Sequence, residues 1–157
     1  MMNELRIRAT HQGGMRVLAG DETHQVVMDY PAEPAAPVDG LTPLQMLLAS
    51  LAACSANSVA TLLSRRMKQH ITGLEVEARA TRSEQHPTVL TCIWLEFFVK
   101  GPQVNPQSVA ESLKFSEERI CPVWNMLKSQ TPIEASFRVI EEPAHVRQLE
   151  PEPASLG

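Results

Sequence analysis

The sequence predicts an α+β fold, and three features carry the prediction. Short stretches on both sides of the chain's centre alternate apolar and polar residues with period two, the mark of half-buried strands. Between them runs Leu41 to Ser64, free of charged residues, with leucines at helical spacing. Two further helix openings, Asn105-Pro106 and Cys121-Pro122, then precede a last alternating stretch. The resulting order is three strands, a long helix, two strands, two helices and a final strand, which implies helices packed on antiparallel sheets.

Leu5, Ile7 and Ala9 alternate with Arg6, Arg8 and Thr10 in the first strand. Gly13-Gly14 supplies a turn, and MRVLA and HQVVMDY give two more strands around Gly20-Asp21. The prolines and small residues from Pro31 to Gly40 make a loop that could cover a site. Thr42 then caps the central helix, Pro43 suits its first turn, and Gln45 completes a capping box. Leu44, Leu47, Leu48, Leu51, Leu62 and Leu63 are so widely distributed that the helix is expected to be buried on nearly all sides.

Beyond Arg66, the stretch KQHITG ends the helix and LEVEARATR alternates as a strand with one wet face. VLTCIWLEFFVK is apolar on both faces apart from Glu96, so it belongs inside a sheet or between layers. Val109, Leu113 and Ile120 line one side of the helix opened by Asn105. Cys121-Pro122 interrupts it and starts another, because proline disfavours helical geometry at the residue before it. PIEASFRVIEE alternates as the final strand. The expected domain is 1–142, followed by a proline-rich, flexible tail, 143–157.

The totals narrow the function. A chain of 157 residues, 43% hydrophobic and 20% charged, is long enough to bury one core. Its formal net charge of -4 gives no basic surplus to attract nucleic acid or an anionic membrane. The uncharged helix could span a bilayer by length, but Gln45, Ser50, Ser55, Asn57, Ser58 and Thr61 spread polarity along it, so a soluble core helix is expected. The N-terminal stretch MMNELRIRATHQ lacks the apolar centre of a signal peptide, which points to the cytoplasm.

No GxGxxG, GxxxxGK[ST] or GxSxG motif is present, and the five histidines show no metal-ligand spacing, so no metal site is expected. The cysteines remain. Cys54, Cys92 and Cys121 are an odd number without a close pair, a poor disulfide framework. In an apolar helix or strand, Cys54 and Cys92 read first as small hydrophobes. Cys121 differs, since at a helix N-terminus its sulfur faces unpaired N–H groups that favour the thiolate.

TPLQMLLASLAACSANSVATLL, followed by RSEQHPTVLTCIWLEFFVKG and SVAESLKFSEERICPVWNML, resembles the OsmC/Ohr family of thiol-dependent hydroperoxide reductases from about Arg16 to Ile140. The cysteine of LAACS on the long helix and the cysteine-proline after EERI are the strongest pieces. The resemblance implies an OsmC-like subunit intertwined with a second copy, with the central helices in the core of the homodimer. It implies that Cys54 is the peroxidatic cysteine, which attacks an organic hydroperoxide and becomes a sulfenic acid, and that Cys121 resolves it to a disulfide. A dithiol of the lipoyl type would then serve as reductant, with no bound cofactor. Cys92 has no counterpart and is read as structural.

Mid-helix burial raises a thiol's pKa, so Cys54 needs a nearby cation. Arg16 sits roughly where the hydroperoxide-resistance branch has its arginine. The partner glutamate of that branch is replaced here by Leu44, and Gln45 cannot hold a guanidinium by charge. Arg65 and Arg66 lie about 16 Å along the helix from Cys54 and read as C-terminal cations. Leu44, Leu47, Leu51, Trp124 and Met126 are candidate lining of an apolar substrate pocket. A binding protein that keeps the thiols without turnover, and a redox sensor acting on a protein partner, are the competing readings.

Overall fold

The computed structural model describes residues 4–33 and 36–143. In chain order it has β1 (Arg8–His11), β2 (Val17–Gly20), β3 (Gln25–Met28), α1 (Pro43–Thr61), β4 (Gly73–Arg82), β5 (Leu90–Gly101), α2 (Pro106–Phe115), α3 (Pro122–Leu127) and β6 (Ile133–Glu141). π-helical turns, Leu62–Arg66 and Ser116–Ile120, prolong α1 and α2. The expected tail falls almost wholly on 144–157, outside the described residues.

The local signals act as their chemistry requires. Thr42 accepts the Gln45 N–H at 3.3 Å while the Gln45 side chain accepts the Thr42 N–H at 2.9 Å, so the capping box closes around Pro43. Asn105 caps α2 through the Gln107 and Ser108 N–H groups. The first strand begins later than its alternation predicts. Leu5 and Ile7 precede β1 and are 90% and 68% exposed, because no layer among the described residues covers that face.

The strands form two three-stranded sheets, β1-β2-β3 and β4-β5-β6. The first is antiparallel throughout. The second corrects the all-antiparallel expectation, since β4 pairs antiparallel with β5 but β6 runs parallel to it, from Ile93 opposite Ile133 to Gly101 opposite Glu141. The reason is the connection: α2 and α3 carry the chain back along the sheet, and a parallel pair needs such a crossover.

Central position explains the two-faced apolarity of β5. Its inward residues Ile93, Leu95, Phe97 and Val99 are sealed against the helices. On the outward face, Trp94 donates to Glu134 at 3.0 Å and Glu96 accepts Arg138 at 2.7 Å, so half-buried side chains there carry polar tips.

Helix α1 lies across β4 and β5 and against α3, burying Leu51, Ser55, Ser58 and Val59, with Leu62 and Leu63 of the following turn. Burial on nearly all sides does not hold within one chain. Leu47, Ser50, Ala53, Asn57, Thr61 and Ser64 form an exposed stripe without a single charge. Pro43–Arg66 is long and apolar enough to cross a membrane, yet one side of it is built into this core. The helix therefore has one face filled by its own chain and a second, equally uncharged face left open.

Candidate active site

Two segments remote in sequence build the site. Successive residues on a helix point about a quarter-turn apart, so Cys54 and Ser55 face adjoining directions from the middle of α1. The other wall is the break between α2 and α3. There the Cys121 N–H donates to the Ser116 carbonyl at 2.9 Å, closing the π-turn, and the chain turns extended at Cys121 to accommodate Pro122. The Cys121 sulfur takes the place of a capping oxygen, accepting the Trp124 N–H at 3.4 Å.

These segments meet. The Ser55 hydroxyl lies 3.7 Å from the Cys121 sulfur, and the Cys54 thiol is near enough to Cys121 and to the Val123 N–H for both to act on its ionisation. Both thiols are free; Cys121 is sealed and Cys54 half-buried. Burial pushes the Cys54 thiol above its ordinary value of 9.0, and the hydrogen bond to Cys121 and that group's charge push it the same way, against the smaller opposing effect of the Val123 N–H. The pair is therefore poorly ionised at Cys54 within a single chain.

The turn that presents Cys121 is clamped. Asn125 donates to the carbonyls of Glu117 at 2.8 Å and Cys121 at 3.0 Å, and Lys128 donates to the Glu117 carbonyl at 3.0 Å. Glu117 thus acts here through its backbone. Arg66 stacks 3.9 Å over the Phe115 ring, well occupied away from the thiols.

The remaining sequence candidates divide by location. Arg16 pairs with Asp39 at 2.5 Å and donates to Gln12 at 3.2 Å, so within one chain its guanidinium is directed at the loop before α1 and not at a thiol. Leu51 and Trp124 are 0% and 1% exposed members of the core. Leu44 is half-buried, while Leu47 and Met126 are 37% and 67% exposed. Those three do not enclose the thiols within one chain. A groove of about 690 Å³ exists elsewhere, lined from the first sheet by residues such as Arg8, Thr10, Leu18 and Gln25; no thiol belongs to it. Cys92 lies on the half-buried outward face of β5, opposite Thr81. Among the described residues, no group of three or more His, Cys, Asp or Glu side chains is placed to hold a metal ion.

Sequence reasoning missed Ser55, the Val123 N–H and the Asn125 clamp. Asn125 carried a faint signal, standing four residues after Cys121, where a side chain overlies a helix opening. Ser55 carried none, since a serine in a small-residue helix is compositionally ordinary.

Comparison with known proteins agrees with this architecture. The family model for OsmC-like proteins matches residues 36–136. Protein YhfA of Escherichia coli strain K12 is 32% identical over 117 residues, covering 74% of this chain and 84% of that protein. The OsmC-like protein from Mycoplasma pneumoniae superposes with a TM-score of 0.78 at 25% identity, over 90% of this chain and 100% of that one. The organic hydroperoxide resistance protein OhrB of Bacillus subtilis superposes with a TM-score of 0.65 over 85% of this chain and 98% of its own; at 16% identity the likeness is one of fold. With the matched region spanning both the long helix and the cysteine-proline break, the chain belongs to the OsmC-like protein family.

Proposed function

We propose that the protein is a thiol peroxidase that reduces organic hydroperoxides to alcohols. The observation that carries the reading is the nearness of Cys54 to Cys121, two free thiols on separate elements that pack in the same apolar core, the second acting on the ionisation of the first. The Cys54 thiolate attacks the terminal peroxide oxygen, the O–O bond breaks, an alcohol leaves, and Cys54 becomes a sulfenic acid. Cys121 condenses with it, releasing water, and an external dithiol of the lipoyl class restores both thiols. A reducing cytoplasm suits such a cycle.

The working unit is a homodimer. The uncharged stripe of α1 and the uncovered face of β1-β2-β3 are the surfaces that a second copy buries. The same assembly supplies the cation that Cys54 lacks, with Arg16 exchanging Asp39 for the thiolate, and it closes Leu44, Leu47 and Met126 over an apolar substrate.

Purified protein should consume cumene hydroperoxide in the presence of a lipoyl dithiol, Cys54→Ser should abolish turnover, and Cys121→Ser should accumulate a trappable sulfenic acid. Failure to consume the peroxide with every dithiol supplied contradicts the reading. Leu44 at the family's glutamate position, together with the raised Cys54 thiol, favours one alternative, a binding protein without turnover. That reading predicts a small apolar ligand retained through purification and both thiols unreactive to peroxide.

A further inference from the structure

We infer that Ser55 is a positioning residue for disulfide formation, its hydroxyl holding the Cys121 sulfur in register with Cys54. Ser55 is 0% exposed, and its Oγ lies 3.7 Å from the Cys121 Sγ, the side-chain hydrogen bond it makes among the described residues. A buried helical serine ordinarily returns its proton to the carbonyl one turn earlier. Ser58 does so, donating to the Cys54 carbonyl at 2.8 Å, whereas Ser55 on the same helix turns to the sulfur instead.

The Cys121 sulfur is consequently held from two sides. The Trp124 N–H reaches it from α3 at 3.4 Å, and Ser55 reaches it from α1. Of these two bonds, the second ties it to the helix that bears Cys54. Since Ser55 follows Cys54 directly, with about 1.5 Å of rise between them, fixing Cys121 on Ser55 also fixes its approach to Cys54. Loss of the hydroxyl leaves Cys121 capped on α3 but no longer registered against α1.

The step that depends on this geometry balances as follows. Cys121, having given up its proton, attacks the sulfur of the Cys54 sulfenic acid; the S–S bond forms from the Cys121 electron pair, the S–O bond breaks, and the departing hydroxide takes up a proton to leave as water. Cys121 is oxidised and the Cys54 sulfur is reduced. Ser55 donates to the attacking thiolate before the bond forms and contributes nothing to the earlier attack on peroxide.

The inference rests on the peroxidase reading for its place in a cycle, but its test has an arm that needs no peroxide. Full-length wild type, Ser55→Ala, Ser55→Thr and Ser112→Ala, the last removing another fully buried serine hydroxyl, are reduced and mixed with one equivalent of cumene hydroperoxide. Quenched samples are scored by mass spectrometry for Cys54 sulfenic acid trapped with dimedone and for the Cys54–Cys121 disulfide. In the second arm diamide replaces the peroxide: one thiolate adds across its N=N bond, and the second displaces the hydrazine to give the disulfide. Ser55→Ala should slow disulfide formation about ten-fold in both arms, the effect of one hydrogen bond to a charged group, while sulfenic acid forms within two-fold of the wild-type rate. Ser55→Thr should recover most of the loss, and Ser112→Ala should match wild type. Equal disulfide rates in wild type and Ser55→Ala, or equal slowing by Ser55→Ala and Ser112→Ala, overturn the inference. Absence of sulfenic acid and disulfide in the peroxide arm, with the Ser55 effect intact in the diamide arm, overturns the peroxidase reading and leaves the role of Ser55 standing.

Discussion

The two sheets of this protein have the same number of strands and opposite fates. In β4-β5-β6 every inward residue of β5 is sealed beneath α1 and its neighbours, whereas in β1-β2-β3 only Ala19 is buried. Exposed large hydrophobics concentrate on the N-terminal side, at Leu5, Ile7, Met15, Val26, Tyr30, Val38, Leu41 and Leu47. Every strand is paired in both sheets, so pairing alone does not distinguish a finished structure from an unfinished one. Apolar cover does, since a small sheet without a packed face is at best marginal in water. The first sheet and the bare stripe of α1 are thus the surfaces on which the proposed dimer depends.

This contrast orders the mutational effects. Phe97, 0% exposed at the centre of the C-terminal core, should cost about 3–5 kcal/mol on replacement by alanine, read as a lowered urea midpoint. A loss under about 1 kcal/mol would break the contrast, because the sealed sheet would then not be where stability resides. Val26, 45% exposed on the first sheet, should change assembly rather than folding. Wild type is expected to run as a dimer by light scattering and Val26→Asp to run as a monomer or a much weaker dimer. A monomeric wild type removes the explanation given for the open faces. Thr42→Ala, which breaks the capping box where the two regions join, should lose about 1 kcal/mol by the same urea assay.

A subtler comparison lies at Cys54. One chain's burial raises its pKa above 9.0, so its thiolate fraction, and with it the alkylation rate, should still be climbing at that pH when no cation is supplied. Arg16→Ala should show that behaviour with iodoacetamide, and wild type should level off below it. Identical profiles deny Arg16 any part in activating the thiol.

Where the sequence was legible, a local rule was at work. Thr42, Pro43 and Gln45 marked the start of α1 because capping is settled within four residues, and Cys121-Pro122 marked a helix break for the same reason. The half-buried and open faces of β4 likewise followed from alternation. Direction of strand pairing was not legible, since nothing in PIEASFRVIEE distinguishes a parallel neighbour from an antiparallel one; the path of α2 and α3 decided it. Nor was the half-bare state of α1. A pattern of leucines records which faces a helix must bury, not which chain supplies the cover. In the candidate site the cysteines drew attention by chemistry and family likeness, while Ser55 matters only through a partner brought to it by tertiary folding.

The central claim is that Cys54 and Cys121 act as one redox unit. Peptide mapping under non-reducing conditions, after one equivalent of cumene hydroperoxide is added to the reduced full-length protein, tests it most directly. The account predicts an intrachain Cys54–Cys121 disulfide with Cys92 still a free thiol; oxidation confined to Cys92, or Cys54 and Cys121 both recovered as thiols after the peroxide is spent, would contradict it.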